Sequence, residues 1–415
     1  MTMDSRGKAS VETTRRAPAL LAGLAEFGVA LFVLAMLFER GEGVRNLGLY
    51  GALAAWLVLA VGYRAVHLPR GIVGMAFAGF AAAVLCTTPF SLDPLYSLTE
   101  FKDDYLIGAI LFLVVSTVFD GRRLLRLCLV LAVVGAILFG LGIYSYLSGG
   151  SGAYFTSENV ILSANKNRYG LFVGYVFPFF LVFAADRARG WAARLPAAAG
   201  GMLMVTATVL SGSRGALGNV GMAAVVWICS ALKRVRTRYV IGAVAFFLVA
   251  MLFPLLILPD EALDHVTSLR DVGTFNERVG RMWLPALESV SERPLVGWGH
   301  GSRILWDPRP FAANEHMPEL IGGGLHNTYI SVLFEHGLIG LAAYALLVLS
   351  GVVVSVRVVA RGAGRLDLVA TAVLASLLGT FIVQAAVKLI AFRYLALVLA
   401  MAAAAARASE EKKAP

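Results

Sequence analysis

Twelve apolar runs, most of them close to the length of a membrane helix, dominate the chain. They fall near 18–38, 46–63, 71–88, 105–119, 124–147, 169–185, 195–211, 215–232, 239–258, 337–356, 366–386 and 389–406. A bilayer core about 30 Å thick is crossed by a helix of about 20 residues. Backbone polar groups inside lipid must pair within the segment, which favours helices. The pattern predicts an all-α polytopic membrane protein with about 12 transmembrane helices. Composition agrees: 59% of residues are hydrophobic and 15% charged, against about 25% charged in soluble domains. That balance excludes a soluble enzyme, a disordered tail and a nucleic-acid-binding domain. The formal net charge of +10 belongs to the basic connections of a membrane protein, so no nucleic-acid partner is expected.

The polar, basic N-terminus (Arg6, Lys8, Arg15, Arg16) leads into a first run without a convincing cleavage site, read as a retained helix. With the N-terminus in the cytoplasm, alternation puts most of the 36 Lys and Arg into short inner connections, such as Arg122–Arg126 and Lys233–Arg238. The positive-inside rule then holds throughout. Both termini are predicted to be cytoplasmic, in a multi-pass protein of the bacterial inner membrane. Residues 259–325 form one large outer loop, with helical content near 275–290 and turn signals including Pro294, Gly297, Gly299 and Gly301. The expected organisation is helices 1–9 over 1–258, a periplasmic lid over 259–325, and helices 10–12 with a cytoplasmic tail over 326–415. Cys86, Cys128 and Cys229 lie in apolar runs and form no disulfide framework or zinc spacing.

Four constellations fall on the outer face. Ser211-Gly212-Ser213-Arg214-Gly215 places an arginine at a helix N-terminus, where free N–H groups and guanidinium can hold one anion. Asn276-Glu277-Arg278-Val279-Gly280-Arg281 places Arg278 and Arg281 on one helical face. Gly322-Gly323-Gly324-Leu325-His326-Asn327-Thr328-Tyr329 sets His326, titratable near neutrality, at the mouth of a helix. Lys166-Asn167-Arg168, Lys388 and Arg393 add charge at helix ends. Each has a plainer reading alone: a snorkelling arginine, a solvated helix, a structural histidine. Together, on one face, they suit a lipid-linked phosphate ester. His300 and His316 show no ligand spacing, and no metal motif is visible.

In order, Ser-Gly-Ser-Arg-Gly at 211–215, Glu-Arg-x4-Trp at 277–283, Pro-Leu-Val-Gly-Trp-Gly at 294–299, His-Asn-Thr-Tyr at 326–329 and Glu-His-Gly-Leu-Ile-Gly at 335–340 resemble the O-antigen ligase and polymerase superfamily. The single large outer loop late in the chain favours the ligase branch. The resemblance implies a glycosyltransferase with its active site facing the periplasm. Its donor would be O-antigen on undecaprenyl pyrophosphate, its acceptor a sugar hydroxyl of lipid A–core, and its product lipopolysaccharide. It also implies that Arg214 and Arg278 match the family's essential arginines and His326 its essential histidine.

A mechanism fits those residues. Arginines stay charged and make forked bonds to phosphate oxygens, so Arg214 and Arg278 would hold the pyrophosphate. His326 would be the general base on the acceptor hydroxyl. Arg168, Arg281, Asn327, Tyr329 and Lys388 are further candidates. One displacement would invert the anomeric centre, since no carboxylate pair suggests a two-step route. No cofactor is expected and the reaction is read as metal-free, with membrane lipids around the polyprenyl tail. Within the superfamily, O-antigen polymerisation or glycan transfer to protein share this chemistry. A secondary transporter or flippase is the alternative from another class. Such proteins often show two related halves, and no internal repeat is detectable.

Overall fold

A computed structural model describes residues 5–35, 41–66, 68–69, 71–147, 166–210, 214–232, 279–301, 325–362, 364–385 and 392–411. Among the described residues no strand occurs, and twelve α-helices are found. They are α1 (Ser5–Ala35), α2 (Glu42–Leu57), α3 (Ile72–Thr87), α4 (Pro94–Val118), α5 (Gly121–Leu147), α6 (Lys166–Ala185), α7 (Trp191–Leu210), α8 (Arg214–Leu232), α9 (Leu284–Glu292), α10 (Thr328–Arg361), α11 (Arg365–Gln384) and α12 (Phe392–Glu411). All but α9 coincide with apolar runs. The ninth run, 239–258, lies outside the described residues. Among those described, six helices are long and apolar enough to cross a membrane, and 172–185 and 215–230 are shorter apolar helices. The chain is a multi-pass membrane protein.

Several helices begin earlier than their apolar runs, and in two of them a side-chain cap sets the start. Asp93 caps α4 by accepting the Tyr96 N–H at 2.9 Å, and Pro94 fills the first turn. This carries α4 back through the charged stretch 102–104. Asn327 caps α10 in the same way, ten residues before the run at 337.

α10 is broken once, at Gly337, where φ is 62° and ψ −162°. Residues 294–299 pair across the break. The Leu338 and Ile339 N–H groups donate to the Pro294 and Leu295 carbonyls at 2.8 and 3.2 Å. In return, the Trp298 and Gly299 N–H groups donate to the Phe334 and Glu335 carbonyls at 2.9 and 2.7 Å. A buried break in a helix would otherwise leave these groups unpaired.

α11 and α12 form the centre. α12 packs on α3, α4, α5, α10 and α11, and α11 on α6 and α8 as well. α12 is rich in alanine, and Leu395 through Ala402 are all buried, so its neighbours approach closely. The buried Asn219 of α8 lies between Gly174 of α6 and Gly379 of α11, at positions where a side chain would collide with it. Phe77, Phe80, Phe112, Tyr105 and Phe392 pack ring against ring within the bundle. Exposed Leu20, Phe27, Val61, Met75 and Leu346 give the bundle an apolar exterior suited to lipid.

The two ends differ. At one, Arg407 donates to the carbonyls of Ser116 and Phe119 at 3.2 and 2.8 Å, and Arg123 and Arg126 both reach Glu26 of α1. Asp186 lies between Arg189 and Arg365 at 3.1 and 3.0 Å. These are the connections that the charge pattern assigns to the cytoplasm. The opposite end gathers the starts of α4, α6, α8, α10 and α12 and the end of α11.

Candidate active site

His326 stands at that opposite end, immediately before the α10 cap. Its φ is +47°, a left-handed conformation uncommon outside glycine though less so for histidine. The neighbours impose it. The Asn327 carboxamide oxygen accepts the Tyr329 and Ile330 N–H groups at 3.0 and 3.1 Å. On the other side, the Leu325 carbonyl accepts the Trp283 Nε1–H at 2.8 Å. His326 is half-buried between two fixed points.

The Trp283 contact matters because of what precedes it in sequence. Residues 279–283 form a single wide π-helical turn leading into α9, and Met282 and Trp283 pack with Leu325, Ile330 and Phe334. The backbone of Arg281 is therefore held against the His326 segment. Arg278 lies outside the described residues, and the side chain of Arg281 is not described.

A second approach comes through α11. The Tyr329 hydroxyl donates to the Phe381 carbonyl at 2.6 Å. Two residues on, Val383 lies against Gly215, where an added Cβ would stand 3.6 Å from it. The start of α8 and the start of α10 thus meet the same end of α11. The backbone of Arg214 is placed there, although its side chain is not described; the same holds for Arg168 at the start of α6. Lys388 lies outside the described residues. Arg393, in the first turn of α12, stacks on the Tyr394 ring at 5.7 Å. Asn327 and Tyr329 have structural work, the first as a cap and the second as a tie to α11.

Beside this lies a cluster that sequence reasoning passed over. His300 and His336 are 36 residues apart in sequence, yet His300 Nδ1 lies 3.1 Å from His336 Nε2. His300 Nε2 lies 3.2 Å from Asp104 Oδ2, and His300 Nδ1 3.3 Å from Glu335 Oε2. His336 Nδ1 lies 3.2 Å from Thr87 Oγ1. Burial disfavours charge on His300, but hydrogen bonds to Asp104 and Glu335 and their negative charges outweigh it, and its pKa is pushed up to about 9. The pairing of 294–299 across the α10 break delivers His300 to this place. Gly299, at φ +103°, gives the turn a backbone that other residues resist, and a side chain there would collide with Ser91. The sequence signals were Gly297-Trp298-Gly299-His300-Gly301 and Glu335-His336-Gly337. Neither carries ligand spacing within one element.

Arg293 fastens the turn further. It lies 4.3 Å from the centre of the Trp298 ring and donates to the Phe90 carbonyl at 2.6 Å. The Trp298 indole donates to the Ser289 carbonyl of α9 at 3.0 Å. The described part of the 259–325 loop is thus packed on the bundle beside His326.

Residues 199–345 match the family described as O-antigen ligase. That span runs from α7 to just past the α10 break, and contains Arg214, Arg278 and His326. The chain is also similar to the "Exopolysaccharide production protein ExoQ" of Rhizobium meliloti (strain 1021), at 28% identity over 340 residues, covering 77% of this chain and 73% of that protein.

Proposed function

We propose that this chain, which matches the O-antigen ligase family over residues 199–345 and is similar to an exopolysaccharide production protein, transfers a glycan from a polyprenyl pyrophosphate to a sugar hydroxyl. The family match and that likeness support an enzyme of polysaccharide assembly in a membrane. One observation supports the finer reading above the rest. The His326 segment is pinned to Trp283 on one side and, through Tyr329, to the end of α11 that also meets the start of α8.

The departing group is a pyrophosphate and needs its charge stabilised. Arg214 at the head of α8 and Arg278 in the outer loop would supply forked, permanently charged donors, with the α8 N-terminus adding its own. His326 would take the proton from the acceptor hydroxyl as oxygen attacks the anomeric carbon opposite the leaving pyrophosphate. The glycosyl–oxygen bond forms as the bond to the pyrophosphate breaks, and the configuration inverts. The two arginines carry the charge stabilisation, so this step draws on no metal. The polyprenyl tail would lie among the apolar helices and the glycan outside the membrane, on the periplasmic side.

On the ligase reading the donor is undecaprenyl-pyrophosphate-linked O-antigen and the acceptor is lipid A–core. The likeness to the exopolysaccharide production protein favours a second acceptor, the end of another polyprenyl-linked glycan, as in polymerisation.

Purified protein given a defined polyprenyl pyrophosphate glycan and each acceptor in turn tests the reading. Transfer with release of polyprenyl pyrophosphate is expected to one of them, and loss of about 10²–10⁴-fold in rate for His326→Ala. Arg214→Lys is expected to lose much of the rate, because a point charge replaces the fork. Near-normal turnover by His326→Ala would remove it as the base.

A further inference from the structure

The cluster formed by His300, Glu335 and His336 turns three donor atoms toward one another. The Thr87 hydroxyl donates to the Val84 carbonyl at 2.9 Å. Its oxygen can therefore only accept from His336, so His336 Nδ1 carries the hydrogen and Nε2 presents a lone pair. His300 Nε2 faces the Asp104 carboxylate and carries a hydrogen in turn. In the neutral ring, His300 Nδ1 then also presents a lone pair. That lone pair, the one on His336 Nε2 and Glu335 Oε2 face one another at 3.1, 3.3 and 3.9 Å.

A proton on His300 Nδ1 can serve one of the two facing acceptors well. A metal ion can serve all three atoms. Ligands on a tetrahedral ion with bonds of about 2.0–2.1 Å stand about 3.3 Å apart, and the observed spacings bracket that value. Two nitrogens and one carboxylate oxygen are the donor set of a borderline ion such as zinc. Asp104 behind His300 is the carboxylate–histidine arrangement that orients a ligating ring, and Thr87 does the same for His336. Glu335 and His336 are buried. A cavity of about 50 Å³, lined among others by Tyr105, Ser331, Glu335 and both histidines, adjoins them. A water needs about 10–15 Å³, so there is room for a fourth ligand.

We propose that His300, Glu335 and His336 bind one divalent ion of the zinc class, oriented by Asp104 and Thr87. The ion fastens the 293–301 turn to α10, and through Asp104 and Thr87 to α4 and α3. Its part is to hold the outer loop, outside the transfer step. The inference stands independently of the transfer reading.

The test uses full-length protein purified in detergent without a metal-affinity tag or chelator. Elemental analysis is expected to find about one zinc per chain, and none bound stoichiometrically in Glu335→Gln. Stripped protein titrated with cobalt is expected to develop the visible bands of a tetrahedral site. Asp104→Asn, outside the ligand set, is expected to fold normally and bind zinc about 10–100-fold more weakly. Should Glu335→Gln fail to fold, wild type and Asp104→Asn decide the matter. Folded wild-type protein with neither stoichiometric metal nor cobalt bands would overturn the proposal, as would unchanged affinity in Asp104→Asn. Transfer activity is measured separately, so an inactive protein with bound zinc would count against the transferase reading alone.

Discussion

At the scale of single residues, Asn327 shows how a helix cap fixes the backbone beside the proposed base. Its side-chain oxygen holds two N–H groups, and His326 is bent into positive φ just before it. Asn327→Ala is expected to cost about 1 kcal/mol in stability, the usual worth of a cap. It should cost far more in rate, because a shift of about 1 Å in a reacting group can lose about 10²-fold. Asn327→Ser, which restores a cap, should recover most of the rate. Steady-state kinetics on the polyprenyl donor would show a fall in kcat larger than any rise in KM. Equal rates in all three proteins would mean that the cap does not position His326. His326 stands out in the sequence by its place after a glycine run, and His300 does not. Spacing rules find ligands within one helix or loop, whereas His300 and His336 meet only because two distant backbones pair.

At the scale of elements, that pairing depends on Gly337. With φ 62° and ψ −162°, it occupies a region almost confined to glycine, where other residues pay of the order of 1–3 kcal/mol. An added Cβ would also strike the Leu295 carbonyl. Gly337→Ala is expected to lower the Tm and to speed hydrogen exchange at the Trp298, Gly299, Leu338 and Ile339 amides, which bridge the break. Unchanged exchange at those four amides would show that the loop is held by other means. The apolar pattern located this helix but set its start at 337, because hydropathy registers lipid contact and not capping. The true start is the Asn327 cap, in a polar stretch that hydropathy scores as loop. α4 was shortened by the sequence pattern for the same reason.

At the scale of the molecule, apolar run length was the most legible signal. Eleven of the twelve runs coincide with described helices, and the ninth lies outside them. Charge asymmetry was legible too, since the basic connections it grouped together meet at one end of the bundle. The candidate site was legible as motifs but not as an arrangement. Only the fold brings Trp283 against Leu325, and α8 and α10 to one end of α11. The central claim is that guanidinium groups from α8 and from the outer loop share one pocket with the His326 imidazole. An experimental structure of the protein with a polyprenyl pyrophosphate glycan bound tests it most directly. The account predicts phosphate oxygens within hydrogen-bond reach of Arg214 and Arg278, with the first sugar facing His326. A pyrophosphate bound elsewhere, or His326 turned away from the sugar, would contradict it.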